Sequence, residues 1–175
     1  MRAQPSYGTT AKLLHWSIVV LLVVQYLIGW LMPDIHRDMQ PGAPMFLHAS
    51  IGMLILALIV VRLAWRLTHP VAQDPSLPPW QRVAAEWVHG LLYLMVLFTT
   101  LSGWNFVAFR DWHLALFSLV PLPLIALPGQ ELLARGHWHQ VFEYALLGLI
   151  GLHVAAALAH AFVYRDRVVQ RMLRG

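Results

Sequence analysis

Ten histidines occur in this chain of 175 residues, and six of them sit where an imidazole is least at home. His15, His48, His89, His139, His153 and His160 fall inside or at the edges of long apolar runs. The other four, His36, His69, His113 and His137, lie in or beside loop-forming stretches and read as ordinary surface residues. An imidazole nitrogen can ligate a metal ion or carry a proton near neutral pH. Polar groups placed in an apolar medium are costly and usually functional. Six histidines distributed over four apolar runs therefore point to metal ligation or proton transfer.

The elements that must position them are helices. Hydrophobic residues make up 59% of the chain and charged residues only 11%, far from the balance of a soluble domain. Four apolar runs, at about 11–32, 45–67, 82–107 and 138–164, reach the roughly 20 residues that a helix needs to cross hydrocarbon. The first, "LLHWSIVVLLVVQYLIGWLM", is too long for the apolar part of a signal peptide and has no small-residue cleavage site after it. Short Pro- and Gly-broken connections, "PDIHRDMQPGAP" and "THPVAQDPSLPP", separate the first three runs. The long third connection, about 108–137, is apolar but cut by Pro121, Pro123 and Pro128, which predicts a short interfacial helix plus loop. The expected architecture is all-α: one domain over residues 1–175, an integral membrane four-helix antiparallel bundle with cofactor sites built between facing helices. Gly148, Gly151, Ala155, Ala156, Ala157 and Ala159 on the fourth run would serve close helix contact, or equally a flat macrocycle lying against the helix.

Basic residues orient the bundle. Arg2, Lys12, Arg62, Arg66, Arg82, Arg165, Arg167, Arg171 and Arg174 lie on one side, nine against the three of Arg37, Arg110 and Arg135 on the other. Both termini are thus expected in the cytoplasm of a bacterial inner membrane. The sequence pI of about 10.0 then reflects topology and anionic lipid headgroups, and nothing in it calls for nucleic acid. The tail "YRDRVVQRMLRG" reads as an interfacial anchor.

Helix geometry sorts the histidines. His139 and His153 are 14 residues apart, which places them on one face, about 40° apart around the axis, and about 21 Å apart along it. One metal ion cannot bind both, so the fourth run contributes to two separate sites. His48 lies level with His139, and His15 and His89 are both available as partners for His153. With cysteine absent, thiolate sites and thioether-linked haem are excluded. Zinc or copper favours three or four clustered ligands, whereas two imidazoles from different helices suit a non-covalent b-type haem. The expectation is two stacked haems. Taking His160 instead of His153 would part the irons by about 31 Å, the whole hydrocarbon thickness. His153 is therefore the better ligand, and His160 is left near the cytoplasmic surface, free to hydrogen-bond a quinone carbonyl, to carry its proton, or simply to snorkel.

Three stretches carry a family resemblance: "LLHWSIVVLLVVQYLIGW", "FLHASIGMLILALIVVRLAWRLTHP" and "WHQVFEYALLGLIGLHVAAALAHAFVYRDRVVQRML". Together they resemble the bacterial cytochrome b561 family of four-span di-haem membrane proteins, over nearly the whole chain and least at 110–136. The resemblance implies His15 with His153 as axial ligands of the cytoplasmic-side haem iron, and His48 with His139 for the periplasmic-side haem. It matches His89 to a third-span histidine that flanks either the inner haem or the quinone. Arg62 and Arg66 read as snorkelling residues, with pairing to the inner haem's propionates as the alternative.

Two haems spanning the bilayer imply transmembrane electron transfer between a periplasmic one-electron partner and the quinone pool. Similarity to superoxide oxidases within the family implies superoxide as donor and ubiquinone as acceptor. A basic funnel would steer such an anion, yet Arg37, Arg110 and Arg135 face Asp34, Asp38, Asp111 and Glu131, three charges against four and a net of minus one. The alternatives are a quinol-oxidising cytochrome b that feeds a periplasmic redox protein, and the cytochrome b anchor of a dehydrogenase or hydrogenase complex. The last is a haem-free, His-lined proton or metal-ion carrier.

Overall fold

A computed structural model describes residues 7–36, 39–71, 77–113, 115–121, 123, 131 and 137–173. Four long helices dominate it: α1 (Thr9–Leu31), α2 (Ala43–Thr68), α3 (Pro79–Phe109) and α4 (Trp138–Ala159). The last runs on into a π-helical turn, His160–Tyr164, and a short helix α5 (Gln170–Leu173) follows. Each long helix is apolar and long enough to cross a membrane. Hydrocarbon offers the backbone no partner, so a spanning segment must satisfy its own N–H and C=O groups, and a helix does so. Hydroxyls within the spans obey the same rule by bonding carbonyls one turn back: Ser50 to Phe46 (2.7 Å), Thr99 to Met95 (2.7 Å) and Thr100 to Val96 (2.9 Å).

Proline sets the boundaries. Pro44 and Pro79 occupy first-turn positions of α2 and α3, where a missing N–H costs nothing. Pro33 and Pro70 follow the ends of α1 and α2 and disfavour helical backbone in the residue before each: Met32 is extended and His69 has left the helical region. The four helices, with α4 counted through its π-helical turn to Tyr164, agree with the apolar runs to within about three residues at each end.

Consecutive helices pack against one another, α1 on α2, α2 on α3 and α3 on α4. The Tyr26 hydroxyl on α1 closes the bundle by donating to the Glu143 carbonyl on α4 at 2.9 Å. Tyr7 and Arg171 meet through the backbone, N–H to carbonyl at 3.4 Å, so both ends of the chain lie at one end of the bundle, here the terminal end. The opposite, far end is capped by Val107 and Trp112 packed on Ile35, Met45, Phe46, Ala49 and Phe106.

The structure adds to one expectation and changes another. Within the third connection, residues 115–121 form an antiparallel hairpin, β1 (Ala115–Leu116) with β2 (Val120–Pro121), which the expected short helix plus loop did not include, while Glu131 is helical. Positive φ at Phe117 (47°) and Ser118 (61°) turns the chain, and the Phe117 N–H reaches α2 by donating to Ser50 Oγ at 2.9 Å. Nothing in those residue types announces positive φ. Pro128, and Arg2, Arg37, Asp38, Arg135 and Arg174 of the charge count, lie outside the described residues. Gly148 and Gly151 do not mediate a close helix contact, because a Cβ on either would meet nothing within 4 Å.

The tightest packing is a waist halfway along the bundle, made of Ile18 from α1, Ile51, Ile55 and Ile59 from α2, Val96 from α3 and Leu146 from α4. Ile55 is 1% exposed and Leu146 2%. Lipid tails are as apolar as these side chains, so contact between fitted surfaces, rather than escape from solvent, holds the waist together. Replacing Leu146 by Ala should therefore cost about 2 kcal/mol through the void it leaves. Denaturant unfolding in mixed micelles checks the value, with Leu152→Ala, an exposed position on the same helix, staying near zero.

Candidate functional site

Two clusters of imidazole lie on either side of this waist. Toward the far end, His48 of α2 and His139 of α4 face each other with ring centroids 6.1 Å apart and planes at 82°. Toward the terminal end, His15 of α1 and His153 of α4 are 6.4 Å apart at 78°. His89 of α3 joins the second cluster, 5.4 Å from His153 at 67°. The chain thus brings five of the six intramembrane histidines into two groups at the depths that helix rise predicts. His160 stands apart, two turns beyond His153.

The spacing tests whether a metal ion fits between the rings. Two imidazole nitrogens that each bond a central ion at about 2 Å hold their ring centroids roughly 6 Å apart. The His48–His139 and His15–His153 pairs match that separation, and the His89–His153 pair is shorter. Among the described residues no group of three or more His, Asp or Glu side chains is placed to hold a metal ion.

Each far-end imidazole rests on a glycine. A Cβ at Gly29 would lie 3.5 Å from His48 Cε1, and one at Gly103 only 2.9 Å from His139 Cε1, closer than real side chains approach. The glycine on α3 therefore makes room for the His139 ring. Its orientation is set by hydrogen bonds: Nδ1 lies 2.9 Å from the Thr99 carbonyl and 3.2 Å from Ser102 Oγ. A carbonyl only accepts, so Nδ1 carries the hydrogen and Nε2 keeps its lone pair for a metal. His48 is held by its backbone, whose carbonyl accepts from Gln25 Nε2 at 2.9 Å. Its own Nδ1 is buried without a hydrogen-bond partner.

A cavity of about 700 Å³ opens beside this pair, lined by His48, His139, Gly29, Gly103, Thr99 and Glu143 among others. That volume lies within the range of cofactor sites. Arg110, at the cavity's outer edge with Asp34, stacks over Phe106 at 4.9 Å and Trp112 at 5.1 Å and donates to the His36 carbonyl at 2.9 Å. In the terminal-end cluster, the charge of Arg62 reaches His15, His89 and His153, and that of Arg66 reaches His89. Arg62 is half-buried and donates to the Ala11 carbonyl on α1 at 2.8 Å, so it ties two helices together instead of extending freely to the surface. Arg66 is exposed.

Several residues of this site lack an obvious sequence signal. Gly29 and Gly103 are glycines among many in apolar helices, and only the bundle shows which carry a ring. Glu143 does carry a signal, as a carboxylate inside an apolar run; the Trp30 side chain hydrogen-bonds to it.

The fold and these two imidazole groups define a membrane four-helix bundle built to hold cofactors between its helices. The prokaryotic cytochrome b561 family matches residues 6–175, and the chain belongs to that family. It is 29% identical to cytochrome b562 of Cereibacter sphaeroides over 180 residues, covering 99% of both chains. It is 27% identical to cytochrome b561 homolog 2 of Escherichia coli K12, over 95% of this chain and 90% of that one. To a probable superoxide oxidase, CybB of Yersinia pestis, it is 27% identical over 91% of each. Membership makes it a bacterial membrane protein of transmembrane electron transfer and implies b-type haem, which sets the haem-free carrier aside.

Gly103→Val should push the His139 ring from its seat and lower the haem bound per chain, measured as the pyridine haemochrome. Gly8→Ala, ahead of α1 and facing open space, should leave the haem content unchanged.

Proposed function

We propose that the chain binds two b-type haems, one between His48 and His139 and one between His15 and His153, and passes electrons from periplasmic superoxide to ubiquinone. The observation that carries this reading is the pair of ring separations, 6.1 and 6.4 Å, on opposite sides of the apolar waist. Each bound haem supplies a one-electron ferric/ferrous couple, and its axial ligands and burial tune the potential.

The protein's own groups supply the rest. Thr99 and Ser102 hold the His139 tautomer, and Gly103 admits its ring. Ile55 and Leu146 exclude water between the two sites. At the terminal end Arg62 and Arg66 place positive charge beside the inner pair, where carboxylate groups of a bound haem would be neutralised. His89 lies nearest His153 and flanks that site. The excess of basic residues at the terminal end favours that end, with both termini, for the cytoplasmic side of the inner membrane.

Two superoxide anions give up one electron each at the far end and leave as dioxygen. Ubiquinone takes both electrons and two protons at the terminal end, beside His160, and leaves as quinol. Likeness to the probable superoxide oxidase of Yersinia pestis supports superoxide as the donor. Arg110 at the cavity edge is a fixed cation on that path. The opposite direction, quinol oxidation feeding a periplasmic redox protein, draws support from Asp34 at the same cavity edge and the acidic balance of the far-end loops.

Singly replacing His15, His48, His139 or His153 by Ala should each remove one of two haems per chain, counted from reduced-minus-oxidised spectra. If His153→Ala kept both while His89→Ala lost one, the inner pairing would be overturned. Pulse radiolysis fixes the direction: superoxide should reduce the haems at about 10⁸ M⁻¹s⁻¹, and the rate should fall with ionic strength. Slow, substoichiometric reduction would exclude superoxide as donor.

A further inference from the structure

Seven residues beyond His153, about 20° further round and about 10 Å further along α4, stands His160. Regular α-helix ends there. The backbone widens into the π-helical turn His160–Tyr164, and Arg165 reverses it with a positive φ of 52°. Such turns are uncommon and often mark functional positions. Here the reversal brings Asp166 back to the residue that began it. His160 Nδ1 lies 2.5 Å from Asp166 Oδ2, and the Asp166 N–H donates to the His160 carbonyl at 3.2 Å. The second carboxylate oxygen, Oδ1, accepts the Val168 N–H at 3.0 Å, which fixes the carboxylate. The side chains are 16% and 21% exposed: sheltered enough for a strong bond, open enough to exchange protons with water.

An imidazole whose Nδ1–H is held by a carboxylate has one tautomer and one orientation. All its exchangeable chemistry is then left to Nε2. Snorkelling to the interface needs no such arrangement, and a helix end needs no imidazole to terminate it.

We propose that His160 and Asp166 form a proton-transfer dyad for quinone at the terminal end of the bundle, a reading that rests on the quinone assignment above. Reduction of one quinone to quinol takes two electrons, arriving singly by way of the two histidine pairs, and two protons. Each proton passes from His160 Nε2–H to a carbonyl oxygen of the quinone, while Nδ1–H stays on its bond to Asp166. The neutral imidazole is reprotonated at Nε2 from the aqueous face before the second transfer. Asp166 is a positioning residue: it acts through His160 and does not itself touch the quinone.

The test uses the full-length, haem-loaded protein, chemically reduced and mixed in a stopped-flow instrument with either a short-chain ubiquinone or ferricyanide. Ferricyanide accepts an electron without a proton, so it reads the haems alone. Reoxidation of the unaltered protein by quinone should slow about twofold or more in deuterium oxide, as for a rate-limiting proton transfer. Asp166→Asn should slow the quinone reaction about tenfold and His160→Gln about a hundredfold. Neither should alter the ferricyanide rate, and Asp166→Glu should restore most of the quinone rate. An unchanged quinone rate in Asp166→Asn would overturn the dyad. So would equal slowing with both oxidants, or loss of haem in both Asp166→Asn and His160→Gln, either of which makes the pair a structural clasp. Failure of the unaltered, reduced protein to react with quinone at all would instead remove the quinone assignment on which the dyad stands.

Discussion

A lone pair on a ring nitrogen that sits in hydrocarbon must be given a partner, and the bundle is arranged around that demand. Backbone groups in the spans are satisfied within their own helices, and the Ser50, Thr99 and Thr100 hydroxyls each bond a carbonyl one turn back. The histidines follow another rule. His139 uses Nδ1 on the Thr99 carbonyl and reserves Nε2, while His48 keeps even a buried Nδ1 without a partner. Groups left open in so apolar a setting are expensive unless something binds them. The family's b-type haem would answer that need, offering an iron to imidazole nitrogen within a largely apolar ring.

That demand explains which parts of the bundle are tight and which are loose. A solid four-helix core would leave no room for large planar groups between the helices. Among the described residues close packing is instead concentrated at the waist and the far-end cap, and the His48–His139 pair borders a cavity of about 700 Å³. Glycine takes over where rings crowd a neighbouring helix, at Gly29 and above all at Gly103. Gly148 and Gly151 look identical in sequence and do nothing comparable within this chain.

That contrast separates what the sequence makes legible from what it hides. Helix rise and hydropathy act along one dimension, so the spans and the levels of His15, His48, His139 and His153 could be read from residue numbers alone. Contacts between helices depend on rotation and on loop geometry. The choice of Gly103 over Gly148, the hairpin at 115–121 and the reach of Asp166 back to His160 all arise that way. In each case the residue types are ordinary and only the folded backbone makes them particular. Glu143 differs, because a carboxylate in an apolar run is conspicuous in the residue pattern itself. Beside six histidines it is easily passed over.

Under the proposed function the waist would also separate two kinds of traffic. Electrons tunnel through packed side chains, whereas protons need hydrogen-bonded groups or water, and Ile18, Ile51, Ile55, Ile59, Val96 and Leu146 offer neither. Under the proposed function, charge crosses the membrane as electrons alone. The protons that balance it must therefore be taken up at the end where quinone is reduced, which is the end that carries His160 and Asp166. A polar waist would short-circuit that division by letting protons cross the membrane independently of the electrons. The isoleucines at the centre are thus as much a part of the mechanism as the imidazoles on either side.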